Sequence, residues 1–187
     1  MTELCSDAML EAVVRDMQNG ADDQLERVEK LLSEFPDDAR LHFLCGSMLV
    51  QAGRLIEGHN ELKRAVALAP DFAIARFQLG LFQLTSGETA NALETFGRLD
   101  SLPDGHYLRK FVDGLRCLIR DEFPETISHL REGIRLNSEN APLNRDMQLI
   151  IHQCETLVLG QKQDDDEANV SETSLILRQS SSRRTLN

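Results

Sequence analysis

A shift of 34 residues lays the middle of this chain on itself without a gap, and that register constrains the fold more than any other feature of the sequence. Phe43, Phe77 and Phe111 share one column, as do Gly46, Gly80 and Gly114, then Leu62, Phe96 and Leu130, then Leu68, Leu102 and Leu136. Gly53 and Gly87 share another, filled by Asp121 in the third copy. Periods of roughly 20 to 50 residues mark supersecondary units that cannot bury their apolar faces alone and therefore stack.

Each copy reads as two helices. Ala39 to Gln51 is followed by Gly53, a residue that enters left-handed backbone cheaply, and a second helix runs from about Arg54 to Leu68 before Pro70. The second copy repeats the pattern with Ala73 to Thr85, Gly87, and a helix to about Ser101 before Pro103. In the third, Tyr107 to Arg120 leads into Glu122 to Leu136, with Pro124 placed in a first turn that does not need its missing N–H. The abundance of Leu, Ala, Glu and Arg, with no Trp and a single Tyr, suits helices throughout.

These residues resemble the tetratricopeptide repeat family, whose 34-residue units hold small side chains where two helices approach closely. Gly46, Gly80 and Gly114 stand at one such place, Gly58, Ala92 and Thr126 at a second, and Ala65, Leu99 and Gly133 at a third, with Pro70 closing the first copy. The chain departs from the family where an aromatic is usual, having His42, Arg76 and Lys110, and where an apolar residue is usual, having Asp113. The resemblance implies an all-α fold, antiparallel helical hairpins stacked as a right-handed solenoid with a C-terminal capping helix.

The organisation that follows is a degenerate helical hairpin over 1–38, broken at Asn19 and Gly20 and closed by Pro36. Three repeats then occupy 39–138, at approximately 39–72, 73–106 and 107–140. A capping helix spans 141–159, where Leu143, Met147, Ile150, Cys154 and Leu157 share one face and Asn144, Arg145, Gln148, His152 and Glu155 cover the rest. The end, 160–187, begins acidic and poor in large apolar residues, which predicts a disordered tail. Within that tail, Leu175, Ile176 and Leu177 form an apolar cluster ahead of Arg178, Arg183 and Arg184.

Charge narrows the range of partners. Residues 1–38 carry eleven acids against three bases, and the chain as a whole stands at −11. Nucleic-acid affinity rests on clustered Lys and Arg, so no nucleic-acid partner is expected. The N-terminus lacks a basic region followed by an apolar run, and no stretch approaches about 18 apolar residues, which predicts no membrane partner and a cytoplasmic location. Cys5, Cys45, Cys117 and Cys154 form no CxxC pair, as expected for reduced, buried thiols.

No chemistry-bearing motif emerges. The five histidines show no metal-ligand spacing, and phosphate-loop, nucleophile-elbow and kinase patterns are absent. Carboxylate pairs such as Asp121 and Glu122 sit at helix starts, where the helix dipole favours negative charge. The expectation is a chain that is not an enzyme, with no catalytic residues, no metal and no cofactor.

The functional expectation comes from the family's inner stripe of first-helix residues. Here the apolar members are Phe43, Val50, Ile74, Phe77, Leu81, Leu84, Leu108, Phe111, Leu115, Leu118 and Ile119. Phe at all three places where the family's carboxylate-clamp members hold Lys argues against recognition of an acidic chain terminus. The stripe instead implies a concave hydrophobic groove for an apolar peptide or an amphipathic helix of another protein, as in adaptors and small repeat chaperones. Two alternatives accompany this reading: neighbouring repeats cover the stripe and make the three Phe core residues, or the chain is a structural assembly factor docking through its outer faces. Self-occlusion of the groove by Leu175, Ile176 and Leu177 is a further expectation.

Overall fold

The chain turns back at three residues with positive φ, spaced as the 34-residue register demands: Gly53 (79°), Gly87 (83°) and Asp121 (58°). At each, the preceding helix ends in the same way. The N–H of Arg54 donates to the Leu49 carbonyl at 2.9 Å, that of Glu88 to Gln83 at 2.8 Å, and that of Glu122 to Cys117 at 3.0 Å. This left-handed cap satisfies carbonyls that a helix end otherwise leaves without a partner. Aspartate is among the few L-residues that tolerate this backbone region, so the third copy keeps the turn without glycine.

The structure is a computed structural model that describes residues 4–18 and 23–161. Among them lie α1 (Asp7–Gln18), α2 (Gln24–Glu34), α3 (Ala39–Gln51), α4 (Leu55–Leu68), α5 (Ala73–Thr85), α6 (Thr89–Gly97), α7 (Tyr107–Ile119), α8 (Phe123–Leu136) and α9 (Ala141–Gln161), with a 3-10 turn at Arg98–Ser101. No strand occurs among the described residues, so the chain is all-α there. The expected break at Asn19 and Gly20, the acidic linker and the Leu175, Ile176, Leu177 cluster lie outside the described residues.

The fold divides into two compact units, Met1–Leu79 and Gly80–Asn187. In the first, α3 and α4 pack as an antiparallel hairpin through two glycine notches. A Cβ on Gly46 would stand 2.9 Å from Cγ of Leu62, and one on Gly58 would stand 2.6 Å from Cγ2 of Val50. As α3 advances from Gly46 to Val50, its α4 partner retreats from Leu62 to Gly58, which is the antiparallel register. The front helices close on this hairpin, with Val13 and Val28 packing in one buried cluster with Cys45 and Leu49, and Cys5 and Leu10 in another with Leu41.

Polar groups fasten the same end. Asp38 is the N-cap of α3, accepting from the Arg40 N–H at 3.0 Å and, through its other oxygen, from the Cys5 N–H at 3.0 Å. Burial opposes the Asp38 charge, but these N–H donors and the Arg40 guanidinium outweigh it and hold the carboxyl below the usual range. Arg40 also reaches the Cys5 carbonyl at 2.6 Å and Asp7 at 2.7 Å, so one residue pair ties the start of the chain to α3.

The second unit repeats the notch twice. Phe96 of α6 lies on Gly80 of α5, where a Cβ would stand 2.7 Å from the ring Cδ1, and Leu130 of α8 lies on Gly114 of α7, where it would stand 2.8 Å from Cδ2. Helix α9 packs on α8 through a turn organised by buried Asn137, whose amide donates to the Asn140 carbonyl and to Asn144 Oδ1 while its own Oδ1 accepts from the Glu139 and Asn140 N–H groups. Leu143, Met147, Ile150 and Cys154 of α9 are buried, and Arg145, Gln148 and His152 face solvent.

The boundaries differ most from the sequence reading at two places: α9 runs to Gln161, past the expected end at 159 and into the expected tail, and the middle copy changes more. The second helix of the middle copy ends at Gly97 rather than near Ser101 and tightens into the 3-10 turn. Gly97 is a poor helix former, and the next buried residue, Leu99, occupies the place held by Ala65 and Gly133 in the other copies, where a large side chain prevents the helix from continuing close to its partner. Gly97 has φ −56°, and a Cβ there would meet nothing within 4 Å. Gly97→Ala is therefore expected to stabilise the chain by about 0.5 to 1 kcal/mol, read as a rise in the thermal midpoint.

Candidate functional site

The eleven residues of the expected groove do not form an open apolar stripe. Phe77, Leu81, Leu84, Leu108, Phe111, Leu115 and Leu118 are each no more than 1% exposed. Phe43, Val50, Ile74 and Ile119 are half-buried. The contacts give the reason. The Phe111 ring lies on Gly133, where a Cβ would collide with it, so this Phe fills the notch of its own hairpin instead of lining a surface. Val50 fills the notch at Gly58 in the same way, and Phe43 meets Phe72 edge to face at 5.3 Å between ring centroids. Of the two ways of reading the three Phe, the buried positions of Phe77 and Phe111 match the core.

His42, Arg76 and Lys110, which share one column of the 34-residue register, each make a polar contact. His42 Nε2 lies 2.9 Å from the Pro36 carbonyl, and Arg76 donates to the Pro70 carbonyl through Nη2 at 2.7 Å. Pro36 and Pro70 are themselves 34 residues apart, so the same turn carbonyl is held by the same place in the following helix. In the third copy Lys110 pairs instead with Glu132 at 3.3 Å. Asp113 is accommodated between Arg109 and Arg116 on α7, at 3.9 and 3.8 Å, while Arg116 grips Asp100 of the 3-10 turn at 2.8 Å.

One open cleft among the described residues was missed by the sequence reading. It lies within the first unit, between α2, α3 and α4, and is lined by Glu29, Leu32, Ser33, Cys45, Leu49, Arg54, Glu57, Asn60 and Glu61. The buried Cys45 and Leu49, with half-buried Leu32, make an apolar floor. Glu57 and Glu61 stand one turn apart on α4 and Glu29 faces them from α2, forming a rim of three carboxylates around a single Arg54. Arg54 meets Glu57 at 2.5 Å and Glu29 at 3.6 Å, while Glu61 meets His42 Nδ1 at 2.5 Å. The columns of the repeat could not reveal this cleft, because one wall is α2, which belongs to the irregular front hairpin.

The cleft's environment shows in Cys45. Burial, reinforced by the Glu61 and Glu29 carboxylates, pushes its thiol up to about 12. Burial likewise raises Cys154 to about 11, and all four cysteines are free and buried. A thiolate is the reacting species, so Cys45 and Cys154 are expected to resist alkylation at pH 8 in the native chain and to label fully once it is unfolded; mass spectrometry after a timed iodoacetamide pulse reads the difference.

Among the described residues no group of three or more His, Cys, Asp or Glu is placed to hold a metal ion, and no helix is long and apolar enough to cross a membrane. The chain matches no protein-family model and no curated protein.

Proposed function

We propose that this chain is a cytoplasmic, tetratricopeptide-like adaptor that holds a short segment of another protein, apolar and flanked by a basic residue, in the cleft between α2, α3 and α4. The observation that carries the reading is the pairing of an apolar floor with a rim of three carboxylates in the first unit. An extended peptide can set alternate apolar side chains on such a floor while a neighbouring Arg or Lys meets the rim. Rim charges steer encounter and select partners, while desolvated apolar contacts supply most of the affinity.

A second reading, an assembly factor docking through an outer face, is favoured by Leu55 and Ile56 at the start of α4, which are 49% and 80% exposed. One experiment separates the two. A partner captured from the native cell is purified, and its affinity is measured for the wild-type chain, for Glu29→Lys with Glu57→Lys, and for Ile56→Asp. The cleft reading expects the double reversal to weaken binding at least about tenfold, the scale of a disrupted charge-selective contact of about 1.4 kcal/mol, with Ile56→Asp near wild type. Binding that survives the double reversal and is lost with Ile56→Asp rejects the cleft in favour of the outer face.

A further inference from the structure

We propose that Arg54 stands, in the free chain, in for the basic residue of a bound segment: it keeps Glu57 in both states and yields Glu29 to the incoming guanidinium. Glu29 is then the carboxylate that selects the partner, and Arg54 sets how strongly it selects. The proposal rests on the adaptor reading of the cleft and adds a competing cation within its rim.

Arg54 is a cation in an unfavourable place. It is the N-cap of α4, and the positive end of a helix dipole disfavours a cation there. One and two repeats further on, the same column holds Glu88 and Glu122, the N-caps of α6 and α8. Of the three copies, the one that borders the cleft reverses the sign, and there Glu29 and Glu57 supply the compensation. The backbone is held as well. The Arg54 N–H donates to the Leu49 carbonyl at 2.9 Å beside the left-handed Gly53, so the side chain leaves from a fixed point in the cleft wall.

The rim carboxylates hold Arg54 unequally. Toward Glu57 the guanidinium presents a fork, donating from Nε to Oε1 at 2.8 Å and from Nη2 to Oε2 at 2.5 Å, which keeps the Glu57 carboxyl below its usual range. Toward Glu29 it offers Nη1 at 3.6 Å from Oε1, an ion pair too long for a hydrogen bond. Glu61 is engaged elsewhere, by His42 Nδ1 at 2.5 Å. Glu29 therefore has the weakest hold on its cation, and its side chain, 48% exposed, can accept the two parallel bonds of a second guanidinium. Two like charges at one carboxylate repel, so Arg54 reduces the attraction felt by the incoming residue, and its fork to Glu57 keeps it from leaving.

The test uses the full-length, isotope-labelled chain and two synthetic peptides blocked at both ends, in which two leucines alternate with serines and are followed by arginine or by neutral citrulline. Amide resonances of Leu32, Leu49 and Asn60 report occupancy of the cleft. Wild type is expected to bind the arginine peptide about twofold more tightly than the citrulline peptide, the lower part of the range for an exposed ion pair. Arg54→Gln should raise that preference to about fivefold. Glu29→Gln should abolish it while Arg54 is present, and Glu29→Gln with Arg54→Gln should restore part of it through the released Glu57. A merely structural role for Arg54 moves both peptides together and leaves their ratio alone. A preference that survives Glu29→Gln, or that Arg54→Gln lowers or leaves unchanged, overturns the proposal while the cleft still binds both peptides. The adaptor reading fails differently, and the proposal with it, if neither peptide moves the three resonances and the captured partner binds without regard to Glu29 and Glu57.

Discussion

Phe111→Ala is expected to lower the unfolding free energy by about 3 to 5 kcal/mol, the cost of removing a fully buried aromatic ring whose site cannot collapse around the void. Phe111 is 0% exposed and its ring sits on Gly133, with Tyr107 edge to face at 5.8 Å between centroids. Gly133 offers no side chain to fill the gap, and the α7–α8 hairpin spaces its axes to the ring. Phe77 is also 0% exposed, and Phe77→Ala is expected to cost a similar amount. Urea titration gives the loss as a lower midpoint at unchanged slope. A loss below about 1 kcal/mol, with binding of a partner abolished, would return these rings to a surface role.

Gly80→Leu is expected to destabilise by at least about 1 to 3 kcal/mol, the range for forcing methylenes into a filled interior. Even a methyl at this position would collide with the Phe96 ring, standing 2.7 Å from its Cδ1, so Gly80→Ala should also destabilise, in opposition to Gly97→Ala, which has open space. The pair of alanine substitutions separates packing from helix propensity, because propensity alone favours Ala over Gly at both sites. Phe96→Leu in the Gly80→Ala background should recover part of the loss by shrinking the opposing side chain, and a double-mutant cycle measures the coupling. Independent effects would mean that the notch does not set the approach of α5 and α6.

The helices were legible because their punctuation is local. Gly53, Gly87 and Asp121 mark left-handed caps, and the bulky residues at Leu62, Phe96 and Leu130 mark the side chains that meet Gly46, Gly80 and Gly114. The early end of α6 was less legible, since it turns on Leu99 standing where a small residue was needed. The orientation of the Phe column was not legible at all. Helical spacing shows that Phe43, Phe77 and Phe111 share a face, but whether that face meets solvent or the partner helix depends on Gly133 and its equivalents, which lie on another element. The cleft escaped for a related reason: Glu29 is remote in sequence from Glu57 and Glu61, and only the packing of α2 on α3 brings it near.

Three of the glycine notches also bear on how the chain acquires its structure in time. Gly46 meets Leu62, Gly80 meets Phe96 and Gly114 meets Leu130, each pair sixteen residues apart. Closing a loop that short takes well under about a millisecond, and its entropic cost grows only logarithmically with length. A ribosome extends a chain at about 5 to 20 residues per second, so a 34-residue hairpin needs seconds to emerge. Each hairpin therefore has time to close before the next is synthesised, and the growing chain need not wait for its C-terminus to begin burying its apolar faces.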